Sequence, residues 1–129
     1  MSDQHGGLTL AYLGDAWLEL KIRTYLIQKG ITSVNALHTQ AIRYTSAVGQ
    51  EKAARVLQDG RLSEEELTIF KRGRNAVSNR KAKNADLATY HQSTGLEALL
   101  GYLTITGAEA RAIEILNVII QTVEELPTE

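Results

Sequence analysis

Residues Leu10–Leu20 read LAYLGDAWLEL. Leu8, Ala11, Asp15, Leu18 and Ile22 fall on one stripe when residues three and four apart share a helix face, so the stretch predicts a buried helix with Asp15 pointing where a core belongs. A lone ionised carboxylate in an apolar site costs several kcal/mol or more, so Asp15 must be hydrogen-bonded, ion-paired, neutralised or bound to a metal. A structural aspartate held by a backbone N–H or an arginine satisfies this stretch as well as a metal ligand does.

Working outward, the periodicity predicts an all-α domain. The only proline is Pro127, so no proline interrupts the interior. The first helix is predicted over about residues 8–29, with Gly30 just past its end. Ser33 is a suitable N-cap for a second segment whose apolar face carries Val34, Leu37, Ala41 and Tyr44. The run SAVGQEKAARVLQDG, residues 46–60, continues or restarts it, with Ala54, Val56 and Leu57 inward. Ser63 followed by Glu66 is a capping-box pattern opening a helix with Leu67, Ile69 and Phe70. RGRNAVSNRKAKN, residues 72–84, breaks the pattern and reads as a helix end leading into a mobile basic loop. Two further helices are predicted over about 93–105 and 108–125, the second with Ala112, Ile113, Leu116, Ile119, Ile120 and Val123 on one face.

With 129 residues, 43% hydrophobic and 22% charged, the chain is expected to form a single soluble domain, 1–129, with an ordered core over about 8–125. It shows neither a transmembrane run nor the features of a signal peptide, and the expected location is cytoplasmic with no membrane partner. Absence of cysteine excludes disulfides and thiolate metal sites. The net charge of −1 is unevenly spread: between Glu66 and Asp86 there is no acid, while Lys71, Arg72, Arg74, Arg80, Lys81 and Lys83 contribute +6, leaving −7 for the remainder. An acidic body thus carries one basic segment.

A second misfit acid occurs in STGLEALLGYL, residues 93–103, where Glu97 is embedded among Leu96, Leu99, Leu100 and Leu103. If the two helices pack together, Asp15 and Glu97 can face one cation, and magnesium suits such a site because it commonly takes one or two protein carboxylates plus phosphate oxygens. Thr94 to Glu97 is also a Ser/Thr-x-x-Glu pattern, so a capping role is the competing reading. Glu19 lies one turn after Asp15, but Arg23 offers it an i,i+4 ion pair, the preferred reading here.

With both acidic helices in view, the chain resembles the catalytic domain of ribonuclease III, most closely the family's short form, Mini-III. YLGDAWLE is similar to the signature helix and LEALLGYL to the second acidic helix; FKRGRNAVS and KNADLATYHQSTGLEALLGYL are similar to stretches of the short form. The likeness spans about residues 8–125. It departs from the full-length family at Leu8, Ala11 and Thr94, where the larger enzymes carry further acids, leaving Asp15 and Glu97 as the clear ligands. No separate double-stranded-RNA-binding domain is expected.

The resemblance implies a Mg²⁺-dependent endoribonuclease, with Mn²⁺ as a substitute, that hydrolyses double-stranded RNA to 5′-phosphate and 3′-hydroxyl ends. Asp15 and Glu97 are then catalytic as metal ligands. It implies a homodimer whose signature helices meet on a twofold axis, for which Leu10, Leu13 and Trp17 offer apolar material, although each can equally fill the monomer core. It further implies a ribosomal RNA precursor, the 23S end, as substrate. Lys71, Arg72, Arg74, Asn75, Arg80, Lys81 and Lys83 are the candidate RNA contacts, phosphate-directed as A-form duplex requires. His5, His38 and His91 are read as a terminal, a polar-face and a loop residue. The alternatives are a non-catalytic dimeric RNA-binding or ribosome-associated module of the same fold, and a helical protein-interaction domain without an RNA role. The first is disfavoured because a module without metal gains by replacing its misfit acids; the second predicts insensitivity to salt.

Overall fold

α1 (Gly7–Gln28) and α5 (Leu87–Ile105) are the two longest helices and pack directly on each other. Around them lie α2 (Val34–Thr45), α3 (Ala47–Gln58), α4 (Glu64–Asn75) and α6 (Glu109–Glu124), with no strand among the described residues. The computed structural model describes residues 5–76 and 87–127. No helix among these is long and apolar enough to cross a membrane. Arg80, Lys81 and Lys83 lie outside the described residues.

The helix ends follow from local chemistry. Gly30, at φ 101°, closes α1 in a Schellman motif: its amide donates to the Ile27 carbonyl at 2.9 Å and the Ile31 amide to that of Leu26 at 3.2 Å. Ser33 and Ser46 cap α2 and α3 by accepting from the Ala36 and Gly49 amides. The capping box at α4 forms as the sequence predicts, with Glu66 Oε1 accepting from the Ser63 amide at 3.0 Å and Ser63 Oγ from the Glu66 amide at 3.1 Å.

α5 begins at Leu87, not near Ser93. Ser93 and Thr94 are therefore interior residues, buried, and their hydroxyls donate to the Tyr90 carbonyl at 2.9 and 3.0 Å. Thr94 caps nothing, which removes the capping-box reading of Glu97. His91 likewise sits in α5 and not in a loop. α4 in turn runs on through Asn75, so Lys71, Arg72, Arg74 and Asn75 occupy its last turns, where sequence reading expects a loop.

The core joins Leu18, Ile22 and Leu26 of α1 to Leu96, Leu99 and Leu100 of α5, with Phe70, Ile115 and Ile119 from α4 and α6. Each such side chain contributes about 1.5–3 kcal/mol by leaving water. Leu10 and Trp17 belong to this core and are not free for a dimer contact, whereas Leu8 is 56% exposed and leaves the predicted stripe. Val56 is only half-buried; the inward face of α3 is Gln50, Ala53, Ala54 and Leu57.

Candidate active site

Two glycines set the geometry. A Cβ on Gly14 would stand 1.8 Å from the Glu97 carbonyl, and one on Gly101 would stand 1.9 Å from the Leu10 carbonyl. The backbones of α1 and α5 therefore touch in antiparallel register, residue 14 against 97 and residue 10 against 101. Asp15 follows the glycine that lies on Glu97's own backbone, and the two carboxyl groups come within hydrogen-bonding reach of each other. Asp15 stands at the exposed edge of this crossing, not in the core as its stripe suggests. Water reaches it there.

Glu97 is set deeper. Burial first, and the neighbouring Asp15 charge second, push its carboxyl up to about 8; an amide hydrogen bond from Gln50 opposes them, and contact with Asp15 and the Glu19 charge add to the rise. Two acids that repel at this separation form a place a divalent cation would stabilise. Glu19 also makes the surface pair expected of it, accepting from Arg23 Nε at 3.1 Å.

Gln50 is the residue that sequence reasoning missed. Its amide Nε2 donates to the Thr45 carbonyl at 2.8 Å and to Glu97 Oε2 at 3.3 Å, and its side chain is buried. A signal was present: Gln50, Ala53, Ala54 and Leu57 share a helix stripe, so Gln50 interrupts an apolar face just as Asp15 does.

The basic end of α4 packs on α5 through Gly73. Gly73 lies against Ala98, the residue following Glu97, where a Cβ would come within 2.4 Å of the Ala98 methyl. Lys71 and Asn75 are exposed. Arg74 Nε donates to Asn75 Oδ1 at 3.1 Å, while Arg72 reaches back to the His5 carbonyl at 3.4 Å and so ties α4 to the start of α1. His38 is exposed, and neither it nor His5 adjoins the acids through any hydrogen bond among the described residues. No group of three or more His, Cys, Asp or Glu side chains suited to a metal occurs among the described residues.

Comparison with known proteins places this helical domain, with two acids at its close α1–α5 crossing, in a known family. The Ribonuclease III domain family matches residues 8–108. A Mini-ribonuclease 3 of Enterococcus faecalis is 46% identical over 123 residues, covering 95% of this chain and 93% of that protein. That of Streptococcus pneumoniae is 46% identical over 119 residues, covering 92% and 93%. The crystal structure of a Fusobacterium nucleatum protein superposes with a TM-score of 0.80 at 30% identity, covering 91% of this chain and 93% of that one. The chain therefore belongs to the ribonuclease III family, in its short Mini-ribonuclease 3 branch.

Proposed function

We propose that this protein is a metal-dependent endoribonuclease acting on double-stranded RNA, with Asp15 and Glu97 as its catalytic pair and Mg²⁺, or Mn²⁺ in its place, as the ion they hold. The observation that carries the reading is the meeting of these two carboxyl groups at the mouth of a glycine-tight helix crossing. The donor set fits a hard divalent ion: two carboxylates, no sulfur and no imidazole at the crossing, with water access at Asp15. When bound, such an ion would supply Lewis-acid polarisation of the scissile phosphate and ready ionisation of the attacking water.

The chain's own residues do the rest. Asp15 and Glu97 concentrate negative charge that selects and orients a cation. Lys71, Arg74 and Asn75 at the end of α4 are set to hold phosphates of the duplex backbone beside it, with Arg80, Lys81 and Lys83 extending the basic segment in sequence. Hydrolysis adds water across the phosphodiester, the bond to the 3′-oxygen breaks, and the products are a 3′-hydroxyl and a 5′-phosphate. No side chain need form a covalent bond to the RNA.

A homodimer places two such sites to cut opposite strands. Tyr12, at 84% exposure, and Leu8 one turn before it form an exposed apolar face of α1, which supports pairing through a twofold contact. In this reading Tyr12 and Leu8 replace Leu10 and Trp17 as interface residues. The proposed substrate is the large-subunit (23S) ribosomal RNA precursor, and the proposed location is the cytoplasm, where that RNA is made in bacteria.

The test is cleavage of an end-labelled RNA duplex with and without Mg²⁺, comparing wild type, Asp15→Asn and Glu97→Gln. Both variants are expected to stay folded, to keep binding the duplex and to lose cutting. A non-catalytic RNA-binding module predicts duplex binding without cutting in the wild type as well, and that result overturns the enzymatic reading.

A further inference from the structure

Gln50 is 1% exposed, and its Oε1 has no hydrogen-bond partner among the described residues. Most buried side-chain amides satisfy both ends. Here one end is left unpaired while the other serves two acceptors, the Thr45 carbonyl at 2.8 Å and Glu97 Oε2 at 3.3 Å.

The orientation of the amide is not arbitrary. A backbone carbonyl can only accept, so rotating the Gln50 amide by a half-turn would set two oxygens against each other at Thr45. The carbonyl thereby locks the N–H edge toward Glu97. That carbonyl is itself fixed, because Thr45 is the last residue of α2 and Ser46 caps α3 immediately after it. α3 then carries Gln50 inward on the same stripe as Ala53, Ala54 and Leu57, which pack in the core. Glu97 is thus gripped at one oxygen by a donor with no freedom to turn away, and its remaining lone pairs are left for the side where Asp15 stands.

We propose that Gln50 is a positioning residue for the active site: it holds the Glu97 carboxylate in the rotamer that receives a divalent ion jointly with Asp15. This rests on the reading of Asp15 and Glu97 as the metal pair. Gln50 does not touch RNA or the ion in this role; it acts through Glu97. Partners of this kind, which orient a metal ligand from behind, typically change metal affinity or activity 10–100-fold, roughly, when removed. The unpaired Oε1 is the distinguishing mark, since a residue kept for packing alone would be better served by an apolar side chain of the same length.

The experiment compares wild type with Gln50→Met, which keeps length and loses both polar atoms, and Gln50→Asn, which is too short to span both acceptors. Mn²⁺ binding is measured by isothermal titration calorimetry without RNA, thermal stability is measured in EDTA, and cleavage is followed against Mg²⁺ concentration. Gln50→Met is expected to melt at or above the wild-type temperature in EDTA. It should nevertheless bind Mn²⁺ about 10–100-fold more weakly and need correspondingly more Mg²⁺ for half-maximal cutting. Gln50→Asn should bind Mn²⁺ more weakly than wild type too, and carries the test if the methionine variant does not fold. Wild-type Mn²⁺ affinity in either folded variant overturns the proposal, as does a methionine variant that folds but melts lower and loses affinity only near its melting temperature. Asp15→Asn and Glu97→Gln, measured alongside, separate the two levels. If they too keep wild-type Mn²⁺ binding, the metal pair itself is misassigned and this proposal falls with it; if they abolish binding while the Gln50 variants do not, only the positioning role is wrong.

Discussion

Glu97→Gln should make the metal-free protein more stable while abolishing cleavage, and the gain should grow with pH. Burial, and then Asp15, raise the Glu97 carboxyl from an ordinary 4.5 to about 8. Because the folded pKa is above the unfolded one, the folded state holds a proton across that interval that the unfolded state has released. Wild-type stability therefore declines as pH rises from about 4.5 towards 8 and levels off above it. At about 1.36 kcal/mol per pH unit the interval sets a ceiling of about 5 kcal/mol. Asp15 stands at the water-exposed edge, where solvent screens part of the repulsion, so a gain of about 1–3 kcal/mol above pH 8 is the expected size. The introduced amide can still accept from Gln50 and can donate to the Asp15 carboxylate, so no buried group is stranded. Urea denaturation in EDTA at about pH 5.5 and about pH 8.5 measures both proteins on either side of the interval. The gap should be small at the lower pH and open at the higher, and divalent ion should then stabilise the wild type selectively. A variant no more stable than wild type at about pH 8.5 would show that Glu97 is a structural acid whose charge is welcome in the fold, and the argument for a strained cation site would fail.

Gly14→Ala places a methyl 1.8 Å from the Glu97 carbonyl, a backbone atom that cannot swing aside, and should cost about 2–4 kcal/mol in calorimetric stability together with cleavage; an unchanged melting temperature would mean the helices are not in that register. Lys71→Ala and Arg74→Ala should each weaken duplex binding and flatten its salt dependence by about one in log–log slope, followed by fluorescence anisotropy, whereas unaltered slopes would mark them as merely solvated charges. Glu124 is partly desolvated, which pushes its carboxyl up, but the Tyr25 and Tyr44 hydroxyls and Lys29 outweigh this and hold it below the ordinary value. Its lowered folded pKa means a stabilisation present above about pH 4.5 and lost on acidification through that lower value, so Glu124→Gln should flatten the acid limb of the stability curve and cost about 0.5–1 kcal/mol at neutral pH after solvent screening. Tyr12→Glu should shift sedimentation from dimer to monomer if α1 pairs through its exposed face; a dimer that persists would place the interface elsewhere.

Helix content was legible because its signals are local. The spacing of Ala11, Leu18 and Ile22, the Ser63–Glu66 box and Gly30 each act within a turn or two of chain, and all three appear where the pattern puts them. The start of α5 was missed: Asp86 just before Leu87 is a residue type suited to an N-cap, but LATYHQ after it shows no clear apolar period, and the leucine stripe that marks the helix begins only at Leu96. Packing of Thr94 and Gly95 on α4, against Gly73 and Phe70, favours helix at residues that lie before the leucine stripe. The same holds for α4, whose last turn contains Gly73 and Asn75, poor helix formers in isolation that close packing on α5 retains.

Sequence by itself determined which side chains are out of place: Asp15 and Glu97 among leucines, and six positive charges in a run without an acid. It could not say that Asp15 lies at a rim and Glu97 behind it, that Leu10 and Trp17 turn inward while Tyr12 faces out, or that Gln50 stands against Glu97. Those outcomes depend on the register of α1 against α5, and register is decided where Gly14 and Gly101 let two backbones touch. Such a contact joins residues more than eighty positions apart, and its energy comes from the fit of two surfaces that exist only once both helices have formed.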